Sequence, residues 1–337
     1  MPATEAERQQ STMKAVVRDR FGPPDVLRFV EIPKPELPDD RVLVRVHASS
    51  VNRGDWYTLT GTPWFARPTM GLMKPKSRTF GGDFAGTVEA VGKDVTEIEV
   101  GDEVFGSRVG AFAEYVSARL ASIAHKPANL TFEQAAAVPV AALTALQGLR
   151  DRGGVRAGQR VLVHGASGGV GLFAVQVAKA LGAHVNAVCS TRNVELVRSL
   201  GAERVFDYTR GEDFTTDGRY DVIFDIAGTR KWSEYRRVLN PDGKLVLVGA
   251  PKGSRLLGPM SHLAAMKLGA LLAKQKVVFF VAKFNREDME GIRELCESGQ
   301  LKPVIERTYP LSETAQALQY MGTEHVKAKL VITVTGS

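Results

Sequence analysis

One run in the chain is built to hold an anion: Gly165-Ala166-Ser167-Gly168-Gly169-Val170-Gly171. It follows a short apolar stretch, Arg160–Gly165, and opens an apolar stretch of helical spacing, Val170–Gly182. Strand, tight turn and helix in that order is the context in which a glycine-rich motif binds a dinucleotide. A missing side chain at Gly168 lets a pyrophosphate approach the backbone, and one at Gly171 lets the helix lie close to the sheet. The helix then turns its free N–H groups and positive dipole end toward the phosphates. Ala166, Ser167, Gly168, Gly169 and Val170 are the candidate contacts; the competing reading is a tight turn in a domain that binds no nucleotide. A second candidate group ends the next apolar run: Cys189-Ser190-Thr191-Arg192-Asn193. Enzymes selective for NAD place a carboxylate there to accept from the ribose 2′-hydroxyl. No acid occurs in these five residues, whereas Ser190, Thr191 and Arg192 can bond a 2′-phosphate, for which the planar fork of arginine is well shaped. Thr191 and Asn193 also suit capping of the following helix. The pattern predicts NADPH as cofactor.

The elements that position these groups follow from periodicity. Runs at Arg160–Gly165, His184–Ser190, Arg204–Tyr208, Tyr220–Gly228 and Gly243–Gly249 read as buried strands. Helical runs at Val170–Gly182 and Asn193–Gly201 separate the first three, and such alternation predicts a doubly wound parallel sheet. Val277–Ala282 reads as its last strand, and Arg286–Gln300 as an amphipathic helix. Before residue 131 the grammar is all-β: valine-rich runs from Met13, Arg41 and Gly86, bounded by turns at Gly22-Pro23-Pro24, Pro38-Asp39-Asp40 and Gly101-Asp102, suggest a barrel-like antiparallel fold. Thr131, with Gln134 three residues on, predicts a capped helix that Pro139 kinks or restarts. Lys327–Val334 resumes the N-terminal alternation, so the chain returns to its first domain. The predicted division is a flexible tail (1–12), a β-rich domain (13–137 and 284–337) and a nucleotide domain (138–283).

Composition narrows the classes. The chain has 337 residues, 44% hydrophobic and 24% charged, which favours two globular domains. It has no apolar run long enough to span a membrane. The first twelve residues carry acids and no apolar core, against a secretory or transit signal, so a cytoplasmic location is expected. Two cysteines, Cys189 and Cys296, stand in no metal or disulfide spacing. The net charge of +7 is scattered among acids, and nucleic acid is not expected as a partner. Arg255–Lys276 is basic and apolar; it reads as a buried helix pair by the cofactor cleft or a dimer contact, with a membrane-surface segment as the alternative.

Taken together, SSVNRGDW (from Ser49), GGDFAGTVEAVGKDV (from Gly81), GDEVFG (from Gly101), GAFAEYV (from Gly110), AAAVPVAALTALQGL (from Ala135), HGASGGVG (from His164) and HVKAKLVITV (from His325) resemble the medium-chain dehydrogenase/reductases over about Met13 to Val334. Within that superfamily the chain is similar to quinone oxidoreductases of the ζ-crystallin kind, and nearer to bacterial proteins labelled NAD(P)-dependent alcohol dehydrogenases. The resemblance implies an α/β architecture: a doubly wound Rossmann sheet plus a GroES-like, β-rich catalytic domain. It also implies that Asn52 and Asp55 lie beside the nicotinamide ribose and substrate, and that Thr144 reaches the nicotinamide end. Tyr208 would lie near the adenosine phosphate, with Gly228, Gly249, Phe280, Val281 and Ala282 bordering the cofactor. Lys327 and Lys329 flank a last strand, where lysines are usually solvated. Zinc members of the superfamily hold the metal with a Cys three residues before an Asp, the His of a GHE motif and a third Cys or acid. Those places carry Asn52, Gly82 and Val140, so no metal is expected.

Without a Lewis acid an alkoxide is poorly stabilised, whereas a quinone or enone spreads developing charge into its own oxygen. The expected function is hydride transfer from NADPH to a quinone or related electrophilic carbonyl compound. The alternatives are an alkenal or enone double-bond reductase and, in another class, a non-catalytic NADPH-binding sensor or structural protein. Tyr57 and Tyr115 are candidate proton donors or packing tyrosines. Trp56, Trp64, Phe65, Met70 and Met73 form either an apolar mouth or a self-packed loop. A homodimer is expected, because Val277–Ala282 would be an apolar edge strand.

Overall fold

The computed structural model describes residues 11–64, 67–249, 260–271, 273–324 and 326–334. Phe65 and residues 255–259 and 272 of the basic apolar segment lie outside them, as does most of the N-terminal tail.

β1 (Thr12–Val17) and β2 (Arg28–Pro33) pair antiparallel. β3 (Arg41–Val51) is the spine of the larger β-rich sheet. Its valines 42, 44 and 46 are buried while Arg45 faces out, and from Ala48 to Val51 every residue is buried. That fully enclosed end leads into α1 (Arg53–Thr60) and α2 (Arg67–Met70). β4 (Asp83–Val91), β5 (Glu103–Ser107), β6 (Tyr115–Arg119) and β7 (Ile123–His125) continue the sheet.

α3 (Phe132–Ala136) has the expected box: Thr131 Oγ1 accepts from Gln134 N at 3.2 Å, and Thr131 N donates to Gln134 Oε1 at 3.0 Å. Pro139 then opens a fresh helix, α4 (Pro139–Leu146), rather than kinking the first one. α4 widens into a π-helical turn, Gln147–Gly153.

β8 (Arg160–His164), α5 (Gly169–Ala180), β9 (His184–Cys189), α6 (Val194–Ser199), β10 (Arg204–Asp207), β11 (Tyr220–Asp225), α7 (Trp232–Val238), β12 (Leu239–Leu247), α8 (Met260–Ala270) and β13 (Lys276–Phe279) follow. The strands form one parallel sheet in the order β10-β9-β8-β11-β12-β13. The order reverses between β8 and β11, and ligands of open α/β sheets bind outside the carboxyl ends of the strands at such a point. β13 stops at Phe279, so Phe280 to Ala282 lie beyond the strand. Within the basic apolar segment the described residues hold the helix α8 and the first residue of β13, and the rest of the expected helix pair falls outside them. Met266 is buried beside α7, and Gly269 sits against the Trp232 ring. No helix among the described residues is long and apolar enough to cross a membrane.

After β13 come α9 (Arg286–Glu297), β14 (Ile305–Pro310), α10 (Thr314–Thr323) and β15 (Lys329–Thr333). β15 pairs antiparallel with β3, Leu330 opposite Val51, while β14 pairs parallel with β15. The β-rich sheet is therefore mixed and not antiparallel throughout, because α10 makes the crossover a parallel pair needs. We propose that the chain changes sheets near 137/138 and 283/284. At the second of these places the Gln147 side chain clasps the Lys283 backbone, donating to its carbonyl at 2.8 Å and accepting from its N–H at 3.0 Å. One apolar cluster joins both parts, from Ala48, Ala85 and Phe105 through the alanines of α3 and α4 to β8 and α5. Cys189 and Cys296 are free and buried, and burial pushes their thiols up to about 11 and about 12.

Candidate active site

The glycine turn begins where β8 ends. Gly165 takes φ +91°, a left-handed conformation that suits glycine. A Cβ on Gly171 would lie 2.3 Å from the Gly165 carbonyl oxygen, so helix and turn touch backbone to backbone there. Gly168 differs: a Cβ there would meet nothing within 4 Å. Nothing among the described residues forbids a side chain at Gly168, and the open space lies at the N-terminus of a twelve-residue helix. Ser167, Gly169 and Val170 are half-buried on the same turn. Ala166 is buried and its N–H donates to Val188 O at 3.1 Å, so it shapes the turn and offers no free donor.

At the end of β9 the structure brings in a residue outside the local motif. Asp207, the last residue of β10, stands in register with Cys189 and accepts from the Thr191 and Thr209 hydroxyls and from Thr209 N. Arg210 Nε lies 3.6 Å from the same carboxylate. The Thr191 hydroxyl is thus directed at Asp207 and is not a free donor. Asn193 is buried and bonds Ser190 Oγ at 3.1 Å, and it does not cap α6 through its side chain. Arg192 and Tyr208 are exposed beside this cluster. Further along the carboxyl edge, Gly228 N donates to Asp225 Oδ1 at 2.9 Å. Gly249 passes so near the chain that a Cβ would lie 1.7 Å from Ile226 O. Phe280 packs toward Gly148 in the π-helical turn, while Val281 is 73% exposed.

The other half of the site is a buried polar cluster at the end of β3. Asp83 is fully buried; its Oδ1 accepts from Val140 N at 3.1 Å, and its Oδ2 from Asn52 Nδ2 at 2.8 Å and Ser50 Oγ at 3.3 Å. Lys329 Nζ donates to Asn52 Oδ1 at 2.6 Å and lies 3.6 Å from Asp83 Oδ2. Burial pushes Asp83 upward and Lys329 downward, and the attraction between their charges opposes both shifts. Asp55 caps α1 by accepting from Asn52 N at 2.7 Å. The Asn52 side chain is also engaged by Asp83 and Lys329. Burial pushes the Asp55 carboxyl up to about 7, against the lowering effect of the Asn52 N–H bond. Thr144 is half-buried on α4, its hydroxyl donating to Val140 O at 2.7 Å.

Two of these residues escape the sequence reading. Asp83 stood only as the acid after a glycine pair, and Lys329 was expected to be solvated. Lys329 is 3% exposed, because pairing of Leu330 with Val51 draws its side chain inward beside Asn52. Lys327, two residues earlier, is exposed as expected. Tyr115 packs under Lys34, whose Nζ lies 3.7 Å from the ring centroid. Tyr57 is partly exposed, and Trp56 packs on Gly322. Met73 is largely exposed, so the loop after α1 is not wholly self-packed.

The donor set does not fit a zinc ion. Both polar ends of the Asn52 amide are engaged, Gly82 has no side chain, and Val140 contributes only a backbone N–H. Among the described residues no group of three His, Cys, Asp or Glu is placed to hold a metal.

Residues 38–128 match the family described as alcohol dehydrogenase GroES-like domain, and residues 200–332 match the family described as zinc-binding dehydrogenase. The mitochondrial NAD(P)H oxidoreductase RTN4IP1 of Mus musculus is 35% identical over 97% of this chain and 90% of its own length. The chain is a medium-chain dehydrogenase/reductase. Quinone oxidoreductase of Homo sapiens is 32% identical, with 91% of this chain and 93% of the relative covered. The chloroplastic NADPH-dependent alkenal/one oxidoreductase of Arabidopsis thaliana is 33% identical, with 95% and 79% covered. The solved quinone oxidoreductase of Coxiella burnetii superposes with a TM-score of 0.83 at 32% identity, covering 96% of this chain and 100% of that one. The protein is an NAD(P)H oxidoreductase of this superfamily. Its matched family carries zinc in its name, yet the residues at the metal positions supply no ligand. Elemental analysis of the purified protein is therefore expected to find zinc well below stoichiometry, with turnover unaffected by a chelator. Stoichiometric zinc lost together with activity would overturn the argument from Asn52, Gly82 and Val140.

Proposed function

We propose that the protein is an NADPH-dependent reductase that delivers hydride to a quinone or a related conjugated carbonyl compound. The observation that carries this reading is the cluster of Asn52, Asp55, Asp83 and Lys329, which offers hydrogen-bond donors and a proton. A conjugated electrophile delocalises the developing charge, so orientation and one or two donors suffice. Bound NADPH supplies the hydride; the chain supplies its position through the turn at Ser167 to Val170 and the edge at Gly228 and Gly249. Asn52 offers an N–H to the acceptor oxygen. Asp55, half-protonated near neutral pH, is the proton source we favour. A protonated acid also serves double-bond reduction, which makes an alkenal or enone reductase the second reading, in keeping with the name of the Arabidopsis relative. Initial rates with NADPH against a panel of quinones and α,β-unsaturated carbonyl compounds decide between the two. Cofactor binding without turnover on either class would overturn both.

The proton assignment has a definite sign. Asp55 is raised from its ordinary value to about 7, so the acid form is full below that pH and is lost as pH rises through it. kcat is expected to fall across this range in the wild type. Asp55→Asn, which keeps an acceptor for the Asn52 N–H, is expected to react more slowly and without that limb. An unchanged limb in the variant would move the proton to another group.

For the cofactor, a charge-assisted bond from Arg192 to a 2′-phosphate contributes about 1.5–3 kcal/mol, or roughly ten- to hundredfold in affinity. NADPH should exceed NADH by at least about tenfold in kcat/KM. Arg192→Ala should remove much of that margin and barely change the use of NADH; equal loss with both cofactors would refute the assignment. We further propose a homodimer along β13, which is an edge strand with Phe279 exposed on it and Val281 and Leu268 exposed nearby. Light scattering at micromolar concentration should give twice the mass of the chain, and the monomer mass there would defeat this.

A further inference from the structure

Asn52 is held from both ends. Its carbonyl oxygen accepts from the Lys329 ammonium at 2.6 Å, and its amide nitrogen donates to the Asp83 carboxylate at 2.8 Å. Turning the amide over would set its N–H groups against a cation and its oxygen against an anion. The cation and the anion together therefore fix which end of Asn52 is which. One N–H is taken by Asp83 and a second remains. That N–H is the donor the half-buried side chain holds in reserve for a ligand, while its oxygen is turned toward Lys329.

Lys329 is also tied to the cofactor turn. The residue before it, Ala328, donates its N–H to Ser167 O at 2.8 Å and forms a bridge with Gly168. Ala328 does so at φ +68°, a left-handed conformation that a residue with a side chain seldom adopts. The Lys329 stem lies over Gly169, where a Cβ would sit 2.8 Å from Lys329 Cδ. The same two residues thus touch the turn at Ser167, Gly168 and Gly169 and the amide at Asn52.

We propose that Lys329 is a positioning residue of the hydride-transfer site: with Asp83 it sets the polarity of Asn52, and through Ala328 it sets the distance of that donor from the dinucleotide turn. The site then selects a ligand oxygen that accepts, such as a ketone or quinone carbonyl. This rests on the reading that Asn52 faces the reacting end. A role confined to stability predicts no change in kcat once the protein is folded.

A double-mutant cycle separates the possibilities. Asn52→Ala, Lys329→Met and their combination are compared by kcat, by the NADPH Kd from fluorescence titration, and by crystal structures without cofactor. Lys329→Met is expected to lower kcat by about tenfold or more, the scale of one lost charge-assisted hydrogen bond. The Kd for NADPH should stay within about threefold, because the ammonium is engaged by Asn52 and Asp83. The combined variant should be no slower than Asn52→Ala alone, and the crystal structure of Lys329→Met should show the Asn52 amide displaced. Should the uncompensated Asp83 prevent folding, Lys329→Met with Asp83→Asn keeps the cluster neutral and carries the same expectations. If Asn52→Ala leaves kcat unchanged, the reading of the site falls and the inference with it. If Asn52→Ala is slow but the lysine variants keep the wild-type kcat, lose activity additively or leave the amide in place, the inference alone is overturned.

Discussion

The carboxylate of Asp83 is the point on which the β-rich half of the molecule converges. It takes hydrogen bonds from Ser50 and Asn52 at the end of β3 and from the N-terminal turn of α4, and it pairs with a lysine from the returning strand β15. A buried carboxylate is costly unless its oxygens are engaged, and removing the lysine from such a pair typically costs about 3–5 kcal/mol. Those partners come from three separate stretches of chain. The cluster is complete only when the first domain has closed, the helix that leads to the nucleotide sheet has docked, and the last strand has come back. Its cohesion is a reason for the two sheets to keep a fixed relation at the cleft.

The same cluster balances its charges among its own residues. Asp83 and Lys329 offset each other, so Asp55 sits near a roughly neutral pair in an enclosed place. Burial then dominates its ionisation. A carboxyl in that condition is a different reagent from one at the protein surface: it holds its proton to neutral pH while remaining engaged with the N–H of Asn52.

Much of this architecture was legible in the sequence because it is local. The glycine turn, the alternation of strand and helix, the box at Thr131 and Gln134, and the outline of β3 depend on neighbours in the chain. The rest depends on neighbours across it. Asp207 comes from the strand beside β9, so no inspection of the five residues from Cys189 to Asn193 would find it. Lys327 and Lys329 have the same parity in a strand, and simple alternation would turn both the same way. They part because Ala328 adopts a left-handed conformation and the strand begins at Lys329. The widened helix at Gln147–Gly153 has one local cue, Gly148, where a side chain would strike the Phe224 ring at 2.3 Å. The paired alanines and glycines around it read equally well as ordinary helix.

The two cysteines have a chemical consequence for an enzyme whose proposed substrates are Michael acceptors. Quinones and enones alkylate thiolates, and the thiolate, not the thiol, is the nucleophile. Cys189 and Cys296 are buried and lie far on the protonated side at neutral pH. The sequence holds two cysteines in all, so the protein has no ready nucleophilic sulfur to be consumed by the compounds it would turn over. Its sulfur, at least, is kept out of reach of the electrophiles it is proposed to reduce.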